Sequence, residues 1–243
     1  MNEYNEYFIT QKSLFNSWKG FFVFFKLKEI LYICMQIFQI FKHNSQKMLQ
    51  IGITGGIGSG KSIICRIFGS LGAPIYDADA RAKAIMNENK KLKNEIIQHF
   101  GEESYMNGNL NRSYLAAKVF SDANEVKKLN SLVHPKVAED YLYWVQKQFS
   151  LGVPYVVREA ALMIESNSHK QLDRLITVFA PENLRIQRVQ KRDPQRTEAE
   201  IKAIISKQIS EEEKMKLANY VIYNDDKTPV LPQILELDAS FRR

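Results

Sequence analysis

The chain has 243 residues, of which 45% are hydrophobic and 25% are charged, and it carries a formal net charge of +7. This composition is ordinary for a soluble globular protein, and the length allows one substantial core or a core with a small mobile domain. The basic residues form no single block, and no zinc-finger spacing or aromatic RNA-binding signature occurs, so we expect anionic small-molecule substrates and no nucleic acid.

Residues 1–47 differ from the rest of the chain because they are rich in aromatic side chains. The apolar run from residue 21 to residue 41 is long enough to cross a bilayer. It contains Lys26, Lys28 and Glu29, however, and charges at that depth are costly. No small-residue cleavage site follows the run, which argues against a secretory signal. We therefore expect an N-terminal extension over residues 1–47 without a stable membrane span.

Three interpretations of this extension remain open. It could be an amphipathic helix associated with a membrane, an extra helix packed on the domain, or upstream sequence read in frame with a translation start at Met48. We favour the third, because Met48 immediately precedes the first predicted strand, where a compact domain could begin. The main domain is then expected over residues 48–243.

The first predicted strand, Leu49–Thr54, is a short apolar run that ends in glycines, as is typical of a buried parallel strand. A loop with the pattern G-x-x-x-x-G-K-[ST] follows from Gly55 to Ser62, and a predicted helix spans Lys61–Leu71. Glycines let successive backbone N–H groups point at phosphate oxygens, and the helix N-terminus attracts the same anion. Lys61 is expected to reach the β- and γ-phosphates, and the Ser62 hydroxyl to bind Mg²⁺.

The helix after this loop contains one of the two cysteines of the chain. Cys34 and Cys65 are far apart and form no metal or redox pattern. Cys65 falls on the apolar face of the predicted helix, where we expect a small core residue. Nothing demands an oxidising compartment, so a cytoplasmic location is expected.

A phosphate-binding loop by itself does not select a reaction. A regulatory GTPase would need the motif N-K-x-D and an ABC-type ATPase the motif L-S-G-G-Q, and neither occurs. A kinase of small molecules needs an acceptor site, a base for the acceptor hydroxyl and a basic lid over the phosphates. The rest of the chain offers candidates for all three.

The second predicted strand, Ala73–Asp77, is followed by a further carboxylate, Asp79. Because ligands bind at the carboxyl ends of strands in open α/β sheets, Asp77 and Asp79 should face the γ-phosphate. One could accept the proton of the acceptor hydroxyl while the other orients that hydroxyl or a Mg²⁺-bound water. Asp79 is favoured as the base, and it is also the predicted N-cap of the next helix.

Helical patterns fill the long interval between the second and third strands. This interval is too long for a simple crossover connection, so it predicts an inserted helical subdomain over residues 80–150. Its predicted helices are Ala80–Met86, Leu92–Phe100, Tyr114–Phe120, Glu125–Leu132 and one from Pro135 to Phe149. His134, in "LVHP", falls between the last two, and on its own it reads as a structural turn residue.

Three more predicted strands complete the pattern: Tyr155–Val157, Leu175–Phe179 and Val221–Tyr223. Five short strands separated by helices indicate a parallel α/β sheet. The remaining predicted helices are Glu182–Lys191, Glu198–Gln208, Glu211–Ala218 and a last one that ends near Leu237.

The helix after the fourth strand contains "RIQRVQKRD", which places Arg185, Arg188 and Arg192 on one stripe. Arginines on one face can clamp a phosphoryl group through bidentate hydrogen bonds, although spacing alone fits a solvated basic face equally well. The position after strand four, where P-loop kinases can carry a lid, favours a role for Arg188 and Arg192. Arg185 is interpreted as a surface residue.

Together these segments resemble the dephospho-coenzyme A kinases. The resemblance covers Leu49 to about Leu237 and is carried, in the family's order, by "GITGGIGSGKS", "LGAPIYDADARAKAI", "LVHP", "MIES", "RIQRVQKRD", "KQISEEEK" and "NYVIYN". It implies a five-stranded parallel sheet of the P-loop kinase type with helices on both faces. It also implies a helical acceptor-binding insertion over residues 80–150 and a helical lid over residues 181–210.

The resemblance implies transfer of the γ-phosphoryl group of ATP to the 3′-hydroxyl of dephospho-CoA, the last step of coenzyme A biosynthesis, with Mg²⁺ required. The residues that it implies for ATP binding are Gly58, Ser59, Gly60, Lys61, Ser62 and Ile63, with Ser62 as the metal ligand. The residues implied for catalysis are Asp79, Lys61, Arg188 and Arg192, and those implied for acceptor binding are Asp77, His134, Pro135 and Glu165.

Several positions depart from the family pattern. Ile63 stands in place of threonine and Ala161 in place of proline, while Ile204 replaces a lid arginine and Asn219 an aspartate. The last two replacements are expected to weaken ATP handling. Two other functions stay open: another P-loop kinase of nucleosides or small metabolites, and a non-catalytic nucleotide-binding protein held at a membrane by residues 1–47. The lid arginines and the "DAD" carboxylates argue against a pure binding protein.

Overall fold

The computed structural model describes residues 48–120 and 122–243. A parallel five-stranded sheet with the strand order β2-β5-β1-β6-β7 forms the centre of this part of the chain. Its strands are β1 (Leu49–Thr54), β2 (Ile75–Asp77), β5 (Tyr155–Glu159), β6 (Arg174–Phe179) and β7 (Tyr220–Tyr223). The predicted parallel α/β sheet is confirmed, and each strand lies within about two residues of its predicted bounds.

The helices of the described residues surround this sheet. They are α1 (Lys61–Ser70), α2 (Ala78–Glu88), α3 (Lys90–Phe100), α4 (Arg112–Phe120), α5 (Ala123–Ser150), α6 (Glu182–Arg192), α7 (Glu198–Ile205), α8 (Glu211–Leu217) and α9 (Val230–Phe241). Short 3₁₀ turns occupy Glu102–Ser104 and Ser168–Gln171. Helices α2 to α5 fill the interval between β2 and β5, where the inserted helical subdomain was predicted.

The strands alternate their side chains between two separate cores, as expected for a sheet covered on both faces. One core joins the sheet to α1 and α9 and includes Ile51, Ile53, Phe68, Ile176 and Ile234. The other joins the sheet to α2, α3 and α5 and includes Tyr76, Leu92, Ile96, Val137 and Leu175. This arrangement confirms the predicted helices on both faces and leaves the carboxyl ends of the strands available for a site.

The predicted break before Pro135 is wrong, because α5 runs through this proline without interruption. Proline lacks the N–H that would bond to the preceding turn, which costs a helix about 3 kcal/mol. Val133, Val137 and Tyr141 are buried at intervals of four residues along the same helix. Burial of this stripe holds the helix together across the proline.

A small hairpin, β3 (Tyr105–Met106) and β4 (Asn109–Leu110), was missed by the sequence analysis. Its turn residues, Asn107 and Gly108, have φ angles of 52° and 82°, and Asn-Gly is the favoured pair for a two-residue hairpin turn. The sequence therefore contained a local signal for this turn. The strands are only two residues long, too short to show an alternating pattern.

Helix α7 ends at Ile205, before its predicted end at Gln208. Residues Ser206 to Ile209 form a turn, and Ser210 then begins α8 with a capping box in which its side chain pairs with Glu213. Within the described residues, no helix is both long enough and apolar enough to cross a membrane. The interpretations of residues 1–47 fall outside the described part, and the domain, insertion and lid boundaries stay predictions.

Candidate active site

The glycine-rich loop lies between the end of β1 and the start of α1, as predicted. Gly58 and Gly60 adopt φ angles of 80° and 89°, which side-chain-bearing residues rarely adopt. A Cβ atom on Gly58 would overlap the carbonyl oxygen of Arg185 on α6. Helix α1 has no side-chain cap at its N-terminus, so its first amides are suited to an external anion.

Lys61 and Ser62 share one carboxylate partner. Oε1 of Glu159 accepts a hydrogen bond of 2.8 Å from Nζ of Lys61 and another of 2.9 Å from Oγ of Ser62. Burial by itself would raise the pKa of the Glu159 carboxyl, but the charge of Lys61 and the hydrogen bonds that the carboxylate accepts lower it below its usual value. The group is therefore an anion held beside the phosphate loop.

Cys65 lies one turn beyond this group and is almost fully buried, which confirms it as a small core residue. Burial, and then the charge of Glu159, raise the pKa of the Cys65 thiol. The side chain therefore stays a neutral thiol that packs among apolar residues.

The two carboxylates after β2 have different contacts. Asp77 is the N-cap of α2 and accepts a 2.9 Å hydrogen bond from the backbone N–H of Ala80. The prediction that Asp79 caps this helix is therefore wrong, because the helix begins two positions earlier than the pattern indicates. Asp79 lies in the first turn, exposed, and its Oδ2 accepts a 3.3 Å hydrogen bond from the backbone N–H of Ala161.

A cleft of about 850 Å³ lies over the phosphate loop. Its lining includes Gly58, Gly60, Lys61, Ser62 and Ile63 from the loop and α1, together with Ala161, Leu162, Arg188, Arg192 and Ile204. Because Asp79 bonds to Ala161, it lies at the edge of this cleft. The structure thus brings the phosphate loop, the candidate base and the two lid arginines to one place.

The lid arginines are held by carboxylates. Nη2 of Arg188 lies 2.6 Å from Oδ1 of Asp226, and Arg192 pairs with the adjacent Asp193 at 2.8 Å. Both arginines border the cleft. Arg192 is exposed and Arg188 is half-buried, and ion pairs near the surface contribute little to stability.

Arg185 is not a surface residue, which corrects the sequence interpretation. It is 3% exposed, and its Nη1 pairs with Oε1 of Glu211 at 3.1 Å. Lys214, also buried, pairs with the same oxygen at 2.8 Å. A side chain at Gly56 would collide with the Arg185 guanidinium. Arg185 is buried because α6 packs directly against the phosphate loop, and the helical spacing alone does not reveal that contact.

None of the four predicted acceptor-binding residues, Asp77, His134, Pro135 and Glu165, lines the cleft. The side chains of His134 and Pro135 are only partly covered on α5. Partial burial and then the charge of Arg158 lower the pKa of the His134 imidazole. Oε1 of Glu165 accepts a 3.2 Å hydrogen bond from the backbone N–H of Ile209, which connects it to the segment between α7 and α8. Their roles in acceptor binding stay predictions.

Three residues at the loop were not given roles by the sequence analysis. These are Glu159, described above, Gln208, whose Oε1 accepts a 3.0 Å hydrogen bond from Ile57 N, and Asn224, whose Nδ2 donates to Ser59 O at 2.8 Å. Each lies at or within three residues of the end of a helix or strand, and Gln208 and Asn224 fall within the motifs "KQISEEEK" and "NYVIYN". The sequence shows these residues, but it does not indicate their partners, because the partners lie 97 to 165 residues away in the chain.

Ile204 and Asn219, the two departures from the family pattern that were expected to weaken ATP handling, have different environments. Ile204 lines the cleft, so an apolar side chain stands there in place of an arginine. Asn219 instead exchanges hydrogen bonds with the backbone of Leu175, accepting at Oδ1 at 2.8 Å. Its described role is to align β7 beside β6.

Comparisons with known proteins identify close relatives of this chain. A family model described as dephospho-CoA kinase matches residues 49–229. A dephospho-CoA kinase of Bacteroides fragilis is 36% identical over 191 residues, which are 79% of this chain and 92% of that relative.

Solved structures agree with this result. A crystal structure of a protein from Thermus thermophilus has a TM-score of 0.68 and 34% identity, covering 79% of this chain and 96% of that one. The dephospho-CoA kinase from Campylobacter jejuni has a TM-score of 0.56 and 27% identity, covering 79% and 91% of the two chains. The resemblance, the fold class and the kinase function predicted from the motifs are confirmed.

Proposed function

The chain belongs to the dephospho-CoA kinase family, and from that premise we propose that it transfers the γ-phosphoryl group of ATP to the 3′-hydroxyl of dephospho-CoA, giving CoA and ADP. The observation that carries the proposal is the convergence on one cleft of a phosphate loop, a carboxylate at its edge and two arginines. Phosphoryl transfer needs positioning and charge stabilisation more than covalent chemistry, and these groups supply both.

ATP is proposed to bind with its phosphates in the loop from Gly58 to Ile63. Backbone amides of the loop and of the first turn of α1 surround the phosphates. Lys61 then moves its ammonium group from Glu159 to the β- and γ-phosphates. The exposed Ile63 side chain, which stands where the family pattern has threonine, contributes apolar surface to the cleft.

The residues present fit a magnesium ion. Mg²⁺ prefers a few hard oxygen ligands and keeps several waters, and the Ser62 hydroxyl lies 2.9 Å from the ionised Glu159 carboxylate. Ser62 would hold the ion directly, and Glu159 would hold it directly or through water. When bound, the ion would neutralise charge on the β- and γ-phosphates.

Asp79 is proposed as the general base. Its carboxylate is exposed and its described hydrogen bond, from Ala161, is long at 3.3 Å, so its oxygens can accept a proton from the acceptor hydroxyl. The freed oxygen attacks the γ-phosphorus as the bond to the β-phosphate oxygen breaks. Arg188 and Arg192 stabilise the charge on the transferring group.

The acceptor is proposed to lie between the sheet edge at Asp77 and the helical insertion that contains His134 and Pro135, with Glu165 near the acceptor. Both substrates are small metabolites, and the proposal includes a cytoplasmic location. The residue assignments rest on the family pattern, and for Asp77 also on its position at the carboxyl end of β2.

Purified full-length protein with Mg-ATP and a panel of hydroxyl acceptors tests the proposal. CoA and ADP formed in equal amounts from dephospho-CoA is the expected result. Phosphorylation of a different nucleoside or metabolite, without CoA formation, would indicate another P-loop kinase. Tight ATP binding without transfer to any acceptor would indicate a non-catalytic nucleotide-binding protein.

A further inference from the structure

A buried arginine lies behind the candidate acceptor edge. Arg158, on β5, is 7% exposed, and its guanidinium carbon lies 4.6 Å from the centre of the Tyr141 ring. Its Nε and Nη1 atoms are buried and make no hydrogen bond to the part of the chain that the structure describes. Within the described residues, no carboxylate forms an ion pair with it.

The neighbouring basic residues differ from Arg158 in this respect. Arg81 donates two hydrogen bonds to Asp140, and Lys61 is paired with Glu159. Burial lowers the pKa of the Arg158 guanidinium, but an arginine remains charged at neutral pH. A desolvated charge without an anion is costly, and a tyrosine face offsets only part of that cost. An anion from outside the chain would therefore stabilise the Arg158 guanidinium.

The register of the sheet places this charge beside the candidate acceptor site. Asp77 is aligned with Glu159, and Tyr76, the residue before Asp77, is aligned with Arg158. Arg158 is thus one residue, about 3.3 Å of strand, behind the edge that bears the carboxylates. The Tyr141 ring over which the guanidinium lies belongs to α5, so the guanidinium lies between the sheet and the helical insertion.

We propose that the guanidinium of Arg158 binds the 5′-pyrophosphate of the acceptor, once the acceptor has displaced the side chains that cover it, while the 3′-hydroxyl of the same ribose faces Asp79. The inference rests on the proposed function and adds a residue that selects acceptors with a charged 5′ substituent. Pyrophosphate is the anionic part of dephospho-CoA closest to the reacting ribose. Its oxygens match the fork of a guanidinium, whereas the ribose and adenine are neutral.

The test compares two acceptors with the same ribose hydroxyl, dephospho-CoA and adenosine, in wild-type protein and in Arg158→Met. Loss of a charge-assisted contact predicts a KM for dephospho-CoA about 10- to 100-fold higher in the variant. The KM for ATP and the kcat/KM for adenosine should be unchanged. Arg242→Met is the matched control, because Arg242 also lies over a tyrosine ring but is paired with Asp238; its KM for dephospho-CoA should equal that of the wild type.

Thermal melting supplies an independent readout. Arg158→Met should melt at or above the wild-type temperature, since it removes an unpaired buried charge, and dephospho-CoA without ATP should protect it less than it protects the wild type. Arg158→Lys keeps the charge and should recover part of the protection. It replaces Arg158→Met in these measurements if the methionine variant does not fold. Equal losses of kcat/KM for both acceptors, or a lower melting temperature with an unchanged KM, would overturn the inference. Absence of transfer by the wild-type protein would instead refute the proposed function.

Discussion

Glu159 and Lys61 form an ion pair of 2.8 Å that joins the carboxyl end of β5 to the phosphate loop. The carboxylate also accepts a hydrogen bond from Ser62, so one buried anion orients both side chains that are proposed to meet the nucleotide and its metal. Groups that orient a metal ligand are commonly worth about 10- to 100-fold in affinity or activity.

Glu159→Gln is therefore expected to lower kcat by about 10- to 100-fold and to raise the Mg²⁺ concentration needed for half-maximal rate. The amide keeps the shape of the side chain but removes the charge. Steady-state rates over a Mg²⁺ titration give the measurement. Glu236→Gln, an exposed change on α9, is the control, and identical Mg²⁺ curves for the two variants would contradict the role of Glu159.

Asp77 and Asp79 are expected to have different roles, with Asp77 as the N-cap of α2 and Asp79 as the general base. Asp79→Asn is expected to reduce kcat by about 100-fold or more, as for loss of a general base, while ATP binding measured by calorimetry stays near the wild-type value. Near-normal turnover in this variant would exclude Asp79 as the base.

Asp77→Ala should act on stability as well, because Asp77 caps α2 through the N–H of Ala80. Loss of a capping side chain costs about 1 kcal/mol, measured as the free energy of unfolding in urea. Asp79→Asn leaves that cap in place and is the internal comparison. A larger loss of stability in Asp79→Asn than in Asp77→Ala would show that the cap is wrongly assigned.

The buried pairs of Arg185 and Lys214 with Glu211 should make Glu211 important for stability. Glu211→Gln leaves two cations buried without an anion, and breaking a buried pair in this way costs about 3–5 kcal/mol. We expect the free energy of unfolding of Glu211→Gln to fall by about this amount. Glu212→Gln, a change at an exposed neighbour, is the control and should have a free energy of unfolding close to that of the wild type. Equal stability of the two variants would show that the pairs are not formed in solution.

His134 predicts a specific pH dependence of stability. Partial burial and then the charge of Arg158 lower the pKa of its imidazole from 6.5, so the folded protein binds fewer protons at this site than the unfolded chain. Stability then rises with pH, and the contribution of His134 is lost as the pH falls below the unfolded value. His134→Gln should flatten this slope in urea denaturation at several pH values.

A suitable control for that measurement is Ser131→Ala, an exposed change on the same helix. It should keep the wild-type slope, because serine does not titrate in this range. If His134→Gln and the wild type have the same slope, the environment described for His134 is wrong.

The sequence alone determined the features that depend on short segments. The phosphate loop follows from glycines at fixed spacing, the sheet from apolar runs between helical patterns, and the core position of Cys65 from helical periodicity. The order of the motifs also indicated the family. Each of these signals lies within a few residues, where backbone geometry and periodicity act directly.

Tertiary structure decided the features that depend on distant partners. Glu159 serves Lys61 and Ser62 across more than 90 residues, Arg185 is buried because α6 rests on Gly56 and Gly58, and α5 passes Pro135 because its buried stripe outweighs one lost hydrogen bond. The same reason applies to each case: burial and pairing energies depend on which elements meet in space, and local pattern carries no information about an absent partner. Packing therefore converts a generic phosphate loop into a cleft that Arg188 and Arg192 line and that has Asp79 at its edge.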